Sequence, residues 1–329
     1  MTLQFALVGA GRIGRVHARN ISAISGAKLR AVADISMDAA ARIATPLGAD
    51  IRRIDEIVAA GDIDAVVISS PTNTHADLIE MCAGGGKAIF CEKPIDLEVS
   101  RVRTCLKNVA DSGVALMVGF NRRFDPHFRA MKDMIERGKI GSVEMVNIIS
   151  RDPEPPTMAY IKTSGGIFSD MTIHDFDMAR FLLDEEIASV MASASNLIDD
   201  EIGTVGDFDS ASIILTTAQG RQCTISNSRR ATYGYDQRIE VLGDLGMVSS
   251  GNPRPLSTEL ATSDGFSHSA LGGFFLERYE QAYSAEMRAF FRVVQGLNDP
   301  SPDGDDGLAA LLLARAAMVS ATTGTAVRP

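Results

Sequence analysis

Short, mainly apolar runs alternate with helix-like patterns over the first third of the chain. The runs occupy residues 5–8, 29–33, 65–68, 87–91 and 115–119. A continuous apolar run without alternation is typical of a strand that is buried on both faces, as in a parallel sheet. Because the segments between the runs carry the helical period, the pattern predicts an α/β domain with a doubly wound parallel sheet over residues 1–121.

The pattern changes after about residue 121. Strand-like runs then follow one another at residues 143–150, 187–195, 210–217, 222–228, 238–242 and 247–249, with one helix at about 166–183 and two more near 277–297 and 306–321. Strands in succession without helices between them indicate an antiparallel sheet. The sequence therefore predicts a second α/β domain over residues 122–329, built on a large, mainly antiparallel open sheet. Two irregular stretches, 152–163 and 252–273, are predicted as loops that cover a site or contact a partner subunit.

Three glycines follow the first apolar run in the segment GAGRIG, and a helical pattern begins there. In a strand-turn-helix unit, Gly9 would make the turn, Gly11 would let the backbone approach a pyrophosphate, and Gly14 would let the helix pack against the strand. Such a segment also occurs in purely structural turns. However, Asp34 ends the next apolar run, where its carboxylate could accept hydrogen bonds from a ribose. The spacing predicts a dinucleotide site at this turn.

The same acid predicts which dinucleotide is preferred. The Asp34 carboxylate can bond both ribose hydroxyls of NAD and would repel the 2′-phosphate of NADP. Ser36, just beyond it, offers no compensating cation. We therefore expect NAD to be the cofactor.

Charge and cysteine content narrow the remaining classes of function. The chain has 32 Lys and Arg against 42 Asp and Glu, a net charge of −10, which argues against a nucleic acid or an anionic membrane as partner. It lacks a basic leader and an apolar run of membrane-spanning length. The four cysteines show no CxxC spacing, so we expect buried reduced thiols in a cytoplasmic protein and no metal site.

Lys93 is the first candidate for chemistry. It lies in the tripeptide Glu92-Lys93-Pro94, directly after a predicted buried strand. Ligands bind at the carboxyl ends of strands in open α/β sheets, and an ammonium there could stabilise the alkoxide form of a substrate hydroxyl as hydride leaves. The alternative is an ordinary surface lysine at a turn.

Asp170 and His174 are the second candidate. They lie four residues apart in the helical pattern FSDMTIHDFD and would share one face of the helix. A histidine can take the proton of a hydroxyl during oxidation, and a carboxylate one turn away can orient the ring or the sugar. Spacing alone leaves open a solvated surface pair without a catalytic role.

Other acids and histidines carry no such indication. Asp175 and Asp177 are expected to be solvated or to cap the helix, and nothing around His17, His127 or His268 requires a role. A zinc site that combines His174, Asp170 and a cysteine is not expected, because no ligand pair has structural-zinc spacing.

Several motifs together resemble the Gfo/Idh/MocA oxidoreductase family over essentially the whole chain. They are GAGRIG, SSPTNTH, CEKP, VGFNRRFDP, GGIFSDMTIHDFD and YGYDQRIEVLG, in the order of the family. The resemblance implies a Rossmann domain followed by an α/β domain with a large open sheet, NAD as cofactor and a small polyol or sugar as substrate. It also implies a homo-oligomer, commonly a tetramer assembled through those sheets, and a Lys93–Pro94 peptide that is often cis.

The resemblance also assigns expected roles to individual residues. Lys93, Asp170 and His174 fall on catalytic positions. Arg122 and Tyr233 fall near positions expected to contact substrate hydroxyls, with Arg123 and Tyr235 as adjacent alternatives. The positions expected to line the cofactor are Gly9, Gly11, Arg12, Ile13, Gly14, Asp34, Ser70, Pro71, Asn73, His75, Glu92 and Lys93.

The family contains both enzymes and non-enzymatic transcriptional regulators, so two classes of function are open. A dinucleotide-sensing regulator needs only the cofactor pocket. The presence of Lys93, Asp170 and His174 therefore favours an enzyme.

Overall fold

The computed structural model describes residues 2–329, and the chain divides into two compact units. One unit comprises the chain up to Phe124 together with Gln281–Leu311. The other comprises Asp125–Glu280 together with Leu312–Pro329. The first break falls close to the predicted one at residue 121. The return of residues 281–311 to the first unit differs from the prediction, which placed all of 122–329 in the second domain.

The first unit contains a parallel sheet of six strands in the order β3-β2-β1-β4-β5-β6. The strands are Leu3–Val8 (β1), Ala27–Ala33 (β2), Asp50–Ile51 (β3), Ala65–Ile68 (β4), Ala88–Glu92 (β5) and Leu116–Gly119 (β6). This confirms the doubly wound sheet predicted from the apolar runs. The strand order reverses between β1 and β4, which is the point at which open α/β sheets bind ligands.

Five helices connect these strands, namely Arg12–Ser22 (α1), Met37–Leu47 (α2), Ile54–Ala59 (α3), His75–Gly84 (α4) and Val99–Ser112 (α5). Helix α2 begins as its sequence predicts, because the Ser36 hydroxyl accepts a hydrogen bond from the Ala39 amide. It ends at Gly48, which adopts the left-handed conformation.

The second unit contains a mixed sheet of six strands in the order β12-β11-β7-β10-β9-β8. The strands are Val143–Arg151 (β7), Ile187–Ser195 (β8), Ser210–Thr217 (β9), Gln222–Ser228 (β10), Asp236–Gly243 (β11) and Gly246–Ser250 (β12). Only the β7–β10 pair is parallel. The mainly antiparallel sheet predicted from successive strand patterns is therefore confirmed. Alternate residues along these strands are buried, so one face is covered and the other is open.

Seven further helices complete the chain, namely Pro126–Glu136 (α6), Met158–Ser164 (α7), Ile173–Leu183 (α8), Asp200–Thr204 (α9), Phe275–Arg278 (α10), Glu280–Val294 (α11) and Gly304–Thr323 (α12). A short π-helical segment, Phe168–Thr172, leads directly into α8. No helix within residues 2–329 combines the length and the apolar character that crossing a membrane requires.

Aromatic packing explains why α11, within residues 281–311, belongs to the first unit. Phe290 on α11 is fully buried, and its ring lies 6.0 Å from that of Phe5 on β1 and 5.6 Å from that of Phe90 on β5. Met287 and Val293 extend the same buried face of the helix. The helix period predicts this apolar face, but it does not indicate which sheet the face covers.

Two stretches predicted as loops contain regular structure. Helix α7 begins inside the stretch 152–163 and ends one residue after it. The stretch 252–273 contains a two-stranded hairpin, Glu259–Thr262 (β13) and Gly265–His268 (β14). All eight hairpin residues are exposed, so no buried face imposes an apolar alternation on the sequence. The loop prediction was therefore wrong for these two segments.

The acids after the catalytic candidates are buried, contrary to the prediction that they are solvated or capping. Asp175 and Asp177 on α8 are both fully buried. The Asp175 carboxylate accepts a hydrogen bond from the Asn227 side-chain amide at 2.8 Å and lies 2.8 Å from the Ser150 hydroxyl. Because Asn227 and Ser150 lie on β10 and β7, this acid helps to fix α8 against the sheet.

Candidate active site

Close packing shapes the turn between β1 and α1. Gly9 has a φ of +97°, and a Cβ at this position would lie 2.5 Å from the amide nitrogen of Ser70. A Cβ on Gly14 would overlap the carbonyl oxygen of Gly9. Gly11 differs, because a Cβ there would have no described atom within 4 Å. The backbone is thus open to a ligand at Gly11 and closed by neighbouring backbone at Gly9 and Gly14.

The first turn of α1 suits an anionic group. The capping residue is Gly11, so no side chain caps the helix and the first amides point into the open space. Arg12 and Ile13 form the first turn, with Arg12 exposed. Amides at a helix N-terminus and the positive end of the helix dipole bind phosphates. The residues present therefore fit the pyrophosphate of a dinucleotide.

Asp34 is held in a fixed orientation at the end of β2. Its Oδ2 accepts a hydrogen bond from the amide of Ala10 at 2.6 Å, and its Oδ1 accepts one from the amide of Ser36 at 2.7 Å. Each carboxylate oxygen has a second lone pair that remains available to a ribose hydroxyl. The geometry fits the ribose contact predicted from the sequence.

A cavity of about 350 Å³ lies beside Asp34. Its lining residues are Ala10, Gly11, Arg15, Asp34, Ala39 and Arg42. The absence of a cation near Asp34 was predicted from Ser36 alone. Two guanidinium groups in fact line the cavity with Asp34. Arg15 and Arg42 lie on different helices, so only the fold brings them to the same acid.

The segment after β4 supplies a second edge of this region. The Ser70 hydroxyl lies 2.6 Å from the Thr74 hydroxyl, and Pro71 and Asn73 are exposed around a short 3₁₀ turn. Since β1, β4 and β5 are neighbours in a parallel sheet, the segment after β4 begins at the same edge of the sheet as Gly9.

His75 has a different role from the one expected. Its side chain is 1% exposed, its Nδ1 lies 2.8 Å from the Pro94 carbonyl oxygen, and its Nε2 lies 2.8 Å from the Ser70 carbonyl oxygen. The ring is therefore not available to line the cofactor. Instead it joins the segment after β4 to the Lys93–Pro94 peptide, which is cis as the resemblance implied.

Glu92 and Lys93 follow β5 at the same edge of the sheet. The Glu92 carboxylate lies 2.7 Å from Nε2 of His17, which is fully buried. The His17 ring contacts the rings of Phe90 and Tyr283, with centroids 5.1 Å and 5.9 Å apart. No role was predicted for His17 from the sequence. The structure shows that it fixes the direction of Glu92, while Lys93 remains partly exposed.

The two adjacent arginines after β6 differ in their contacts. Arg123 forms an ion pair with Asp306, with nitrogen-oxygen distances of 3.0 Å and 3.2 Å. Arg122 is buried in the same 3₁₀ turn. Arg122 stays the predicted substrate contact, with Arg123 as the alternative.

Asp170 and His174 belong to the second unit. Asp170 lies in the π-helical segment, and His174 lies in the first turn of α8. Single π turns within helices are frequent at functional sites. The side chains of both residues are partly exposed, so they can meet a ligand.

Tyr160 and Arg229 lie next to the Asp170 carboxylate, and neither was predicted from the sequence. The Tyr160 hydroxyl donates to Oδ1 of Asp170 at 2.8 Å, and the fully buried Arg229 places Nη1 3.9 Å from Oδ2. Desolvation of the hydroxyl and the adjacent carboxylate raise the pKa of Tyr160 well above its ordinary value. Tyr160 therefore acts as a donor to Asp170. Its place in a stretch predicted as a loop gave no signal.

The two tyrosine alternatives differ in burial and in their contacts. Tyr233 is half exposed, and its hydroxyl donates to Asp236 at 2.7 Å and accepts from Arg151 at 2.9 Å. It lines a cavity of about 340 Å³ together with six serines of β8, β9 and β10, and neither Asp170 nor His174 lines this cavity. Tyr235 is buried with its ring 6.1 Å from that of Tyr279.

The four cysteines, Cys82, Cys91, Cys105 and Cys223, are all buried and free. Burial raises the pKa of Cys82 and that of Cys105 to about 12. Within residues 2–329 no group of His, Cys, Asp and Glu side chains could hold a metal ion.

Together, the parallel sheet, the glycine turn and the acid at the end of β2 define a dinucleotide-binding protein. The family model of an oxidoreductase family with an NAD-binding Rossmann fold matches residues 3–120. The model of the GFO/IDH/MocA C-terminal domain matches residues 128–249. The chain belongs to the GFO/IDH/MocA oxidoreductase family, and NAD is its cofactor.

Known relatives cover the chain almost completely. The inositol 2-dehydrogenase of Rhizobium meliloti (strain 1021) is 60% identical over 97% of this chain and 97% of the relative. The crystal structure of a myo-inositol dehydrogenase from Corynebacterium glutamicum ATCC 13032 has a TM-score of 0.96 at 43% identity and covers 100% of this chain and 99% of that chain. The structure of scyllo-inositol dehydrogenase from Lactobacillus casei with bound NAD(H) and scyllo-inositol has a TM-score of 0.92 at 29% identity, with coverage of 100% and 99%.

The glycine geometry separates a binding role from a packing role. We expect Gly11→Ala to leave thermal unfolding of the cofactor-free protein unchanged, because its φ of −73° suits alanine and the Cβ meets no described atom. NAD binding should weaken about tenfold or more, since the methyl group occupies the approach of the pyrophosphate. Gly14→Ala should instead lower the free energy of unfolding by about 1–3 kcal/mol through overpacking. Calorimetric titration with NAD and thermal unfolding distinguish the two. Unchanged NAD affinity in Gly11→Ala would contradict the assignment.

Proposed function

We propose that this protein oxidises the axial hydroxyl of myo-inositol to give 2-keto-myo-inositol (scyllo-inosose), with NAD as hydride acceptor. The observation that carries the proposal is the inositol 2-dehydrogenase that matches nearly the whole chain at 60% identity. The arrangement around Asp170 supports it, because the Tyr160 hydroxyl donates to one oxygen of this carboxylate and Arg229 lies 3.9 Å from the other, which restricts how the carboxylate can be oriented.

The reaction divides between the cofactor and the side chains. Bound NAD supplies the nicotinamide carbon that accepts the hydride. His174 takes the proton from the reacting hydroxyl at its imidazole nitrogen, and Asp170 orients the ring or a neighbouring hydroxyl. The Lys93 ammonium stabilises the negative charge that develops on the oxygen. Arg122 is the proposed contact for another hydroxyl of the substrate.

A second candidate within the same chemistry is another polyol or sugar, such as scyllo-inositol or glucose. The scyllo-inositol dehydrogenase with the same fold favours this alternative, at a lower identity. A dinucleotide-sensing regulator without catalysis is the candidate from another class. Turnover separates the enzyme from the regulator, and a substrate panel separates the polyols.

The panel has a definite expected order. Among myo-inositol, scyllo-inositol, glucose and glycerol, myo-inositol should show the highest kcat/KM with NAD. Turnover is measured from the absorbance of the reduced cofactor. Glycerol should be negligible, since every hydroxyl that is missing leaves a buried polar group of the site without a partner. If glucose or scyllo-inositol were preferred tenfold or more, the named substrate would be wrong. Absence of turnover with every polyol would favour the regulator.

Replacement of Lys93 tests the electrostatic role. Lys93→Met should lower kcat by about 10²–10³-fold, because the charge is needed when the alkoxide develops. NAD binding, measured by calorimetry, should persist. The matched control is Lys107→Met, an exposed lysine on α5, which should turn over normally. A Lys93→Met enzyme with near-normal kcat would remove this residue from the mechanism.

Replacement of His174 tests the proton acceptor. His174→Ala should lose about 10²–10⁴-fold in the rate of oxidation, the usual contribution of a general base. His127→Ala, at an exposed position of α6, is the control and should behave as the wild type. Equal losses in both variants, or none in His174→Ala, would be inconsistent with His174 as the base.

We also propose a cytoplasmic homotetramer assembled through the open face of the second sheet. Exposed apolar side chains occur on that face in two groups separated by β10. These are Met145, Leu242 and Met247 on β7, β11 and β12, and Met191 and Ile214 on β8 and β9. Contiguous exposed apolar patches are typical of interaction surfaces. Free, buried cysteines are compatible with a reducing compartment.

A charge on this face should disrupt the assembly. Ile214→Glu is expected to reduce the molar mass found by light scattering after gel filtration, since an unpaired charge would be buried at the interface. Leu297→Glu, at an exposed leucine of the first unit, is the control and should leave the mass unchanged. A tetramer that persists in Ile214→Glu would argue against this face.

A further inference from the structure

Tyr160 uses its only hydroxyl hydrogen in its bond to Asp170. The hydroxyl donates to Oδ1 of the carboxylate at 2.8 Å, and a phenol has one hydrogen to donate besides the lone pairs with which it accepts. Within residues 2–329 no donor bonds the Tyr160 oxygen. Tyr160 is 49% exposed, so a ligand can reach it. Toward a ligand, its oxygen is therefore an unoccupied acceptor beside a carboxylate.

The Tyr160 hydroxyl keeps its hydrogen at any working pH. Desolvation and the adjacent carboxylate raise the pKa of Tyr160 well above its ordinary value. The residue therefore acts neither as an acid nor as a base in proton transfer. What it offers to a ligand is a neutral oxygen that accepts a hydrogen bond.

A chain of contacts fixes the two acceptors relative to each other. The fully buried Arg229 places Nη1 3.9 Å from Oδ2 of Asp170 and Nη2 3.2 Å from Oδ2 of Asp207. The other Asp207 oxygen accepts a hydrogen bond from the Ile167 amide at 2.8 Å. Gly166 has a φ of +82°, and a Cβ there would lie 2.7 Å from the same oxygen. The turn that joins α7 to the π-helical segment is thus packed against a buried ion pair, and the fold sets the distance between the two acceptors.

Two acceptors at this separation suit two neighbouring hydroxyl groups. The Tyr160 oxygen and Oδ1 of Asp170 lie 2.8 Å apart. Adjacent gauche hydroxyls on a cyclohexane ring place their oxygens at a similar separation, and each hydroxyl has one hydrogen to donate. A ligand that lacks one of the two hydroxyls leaves an acceptor of the protein without a partner, which weakens binding.

We propose that Tyr160 is a specificity-determining residue, whose oxygen accepts a hydrogen bond from the substrate hydroxyl next to the one that Asp170 binds. The two side chains together then recognise a vicinal diol. The inference rests on the proposed polyol oxidation and adds the residue that recognises a second hydroxyl. It differs from a positioning role, in which Tyr160 would act on the substrate only through Asp170.

Removal of one hydroxyl from the enzyme and one from the substrate tests the contact. Wild type and Tyr160→Phe are compared on myo-inositol and on monodeoxy analogues, each of which lacks one hydroxyl other than the axial one at C2. In the wild type, loss of the hydroxyl that Tyr160 binds should lower kcat/KM about tenfold or more. In Tyr160→Phe, kcat/KM for myo-inositol should fall about tenfold, mainly through a higher KM, and that one analogue should be only about twofold worse than myo-inositol.

Two controls separate this contact from a general disturbance of the site. Analogues that lack another hydroxyl should show the same ratio between the two enzymes as myo-inositol does, because they keep the contact with Tyr160. Lys162→Gln, at an exposed position of α7, should behave as the wild type on every substrate. Tyr160→Met is a second variant without the hydroxyl, for use if thermal unfolding shows that the phenylalanine variant is unstable.

The possible results are distinct. An equal loss in Tyr160→Phe on every analogue would show that Tyr160 only positions Asp170, and would overturn the proposal. Unchanged kcat/KM for myo-inositol in that variant would overturn it as well. In both cases the wild type still oxidises myo-inositol, so the proposed function stands. A wild type that turns over no polyol would contradict the proposed function and this inference together.

Discussion

The tight contact between the turn after β1 and the first turn of α1 is the constraint on which the cofactor site depends. Neither Gly9 nor Gly14 has room for a Cβ, so the N-terminus of α1 is fixed at the carboxyl end of β1. The hydrogen bond from Ala10 to Asp34 joins the end of β2 to the same turn. Since the first amides of α1 and the Asp34 carboxylate are both tied to this turn, the fold sets the distance between them.

In each unit, buried side chains orient the residues that are candidates for binding or catalysis. In the first unit, His75 joins two segments at the sheet edge and His17 directs Glu92. In the second unit, the fully buried Arg229 contacts the carboxylates of Asp170 and Asp207. A buried guanidinium is stable only when carboxylates offset its lost hydration. The contact with Asp170 therefore both stabilises the buried Arg229 and restricts the orientation of the Asp170 carboxylate.

Local patterns in the sequence were sufficient to predict both sheets, the glycine turn and the acid at the end of β2. A strand buried on both faces requires an apolar run, and a tight turn requires glycine, so each leaves a local signal. The position of Arg15 and Arg42 beside Asp34 leaves no such signal, because the fold brings two separate helices to this acid. The burial of Asp175 is equally hidden, since its partners Ser150 and Asn227 are 25 and 52 residues away.

The fate of a single hydrogen tests the central claim most directly. myo-Inositol deuterated at C2 should be incubated with the enzyme and NAD, and both products analysed by mass spectrometry. Oxidation of the axial hydroxyl predicts that the deuterium moves to the reduced cofactor, whose mass rises by about one unit, and that the ketone is unlabelled. Deuterium retained in the ketone would show that another carbon is oxidised, and the absence of any reduced cofactor would contradict the proposed activity.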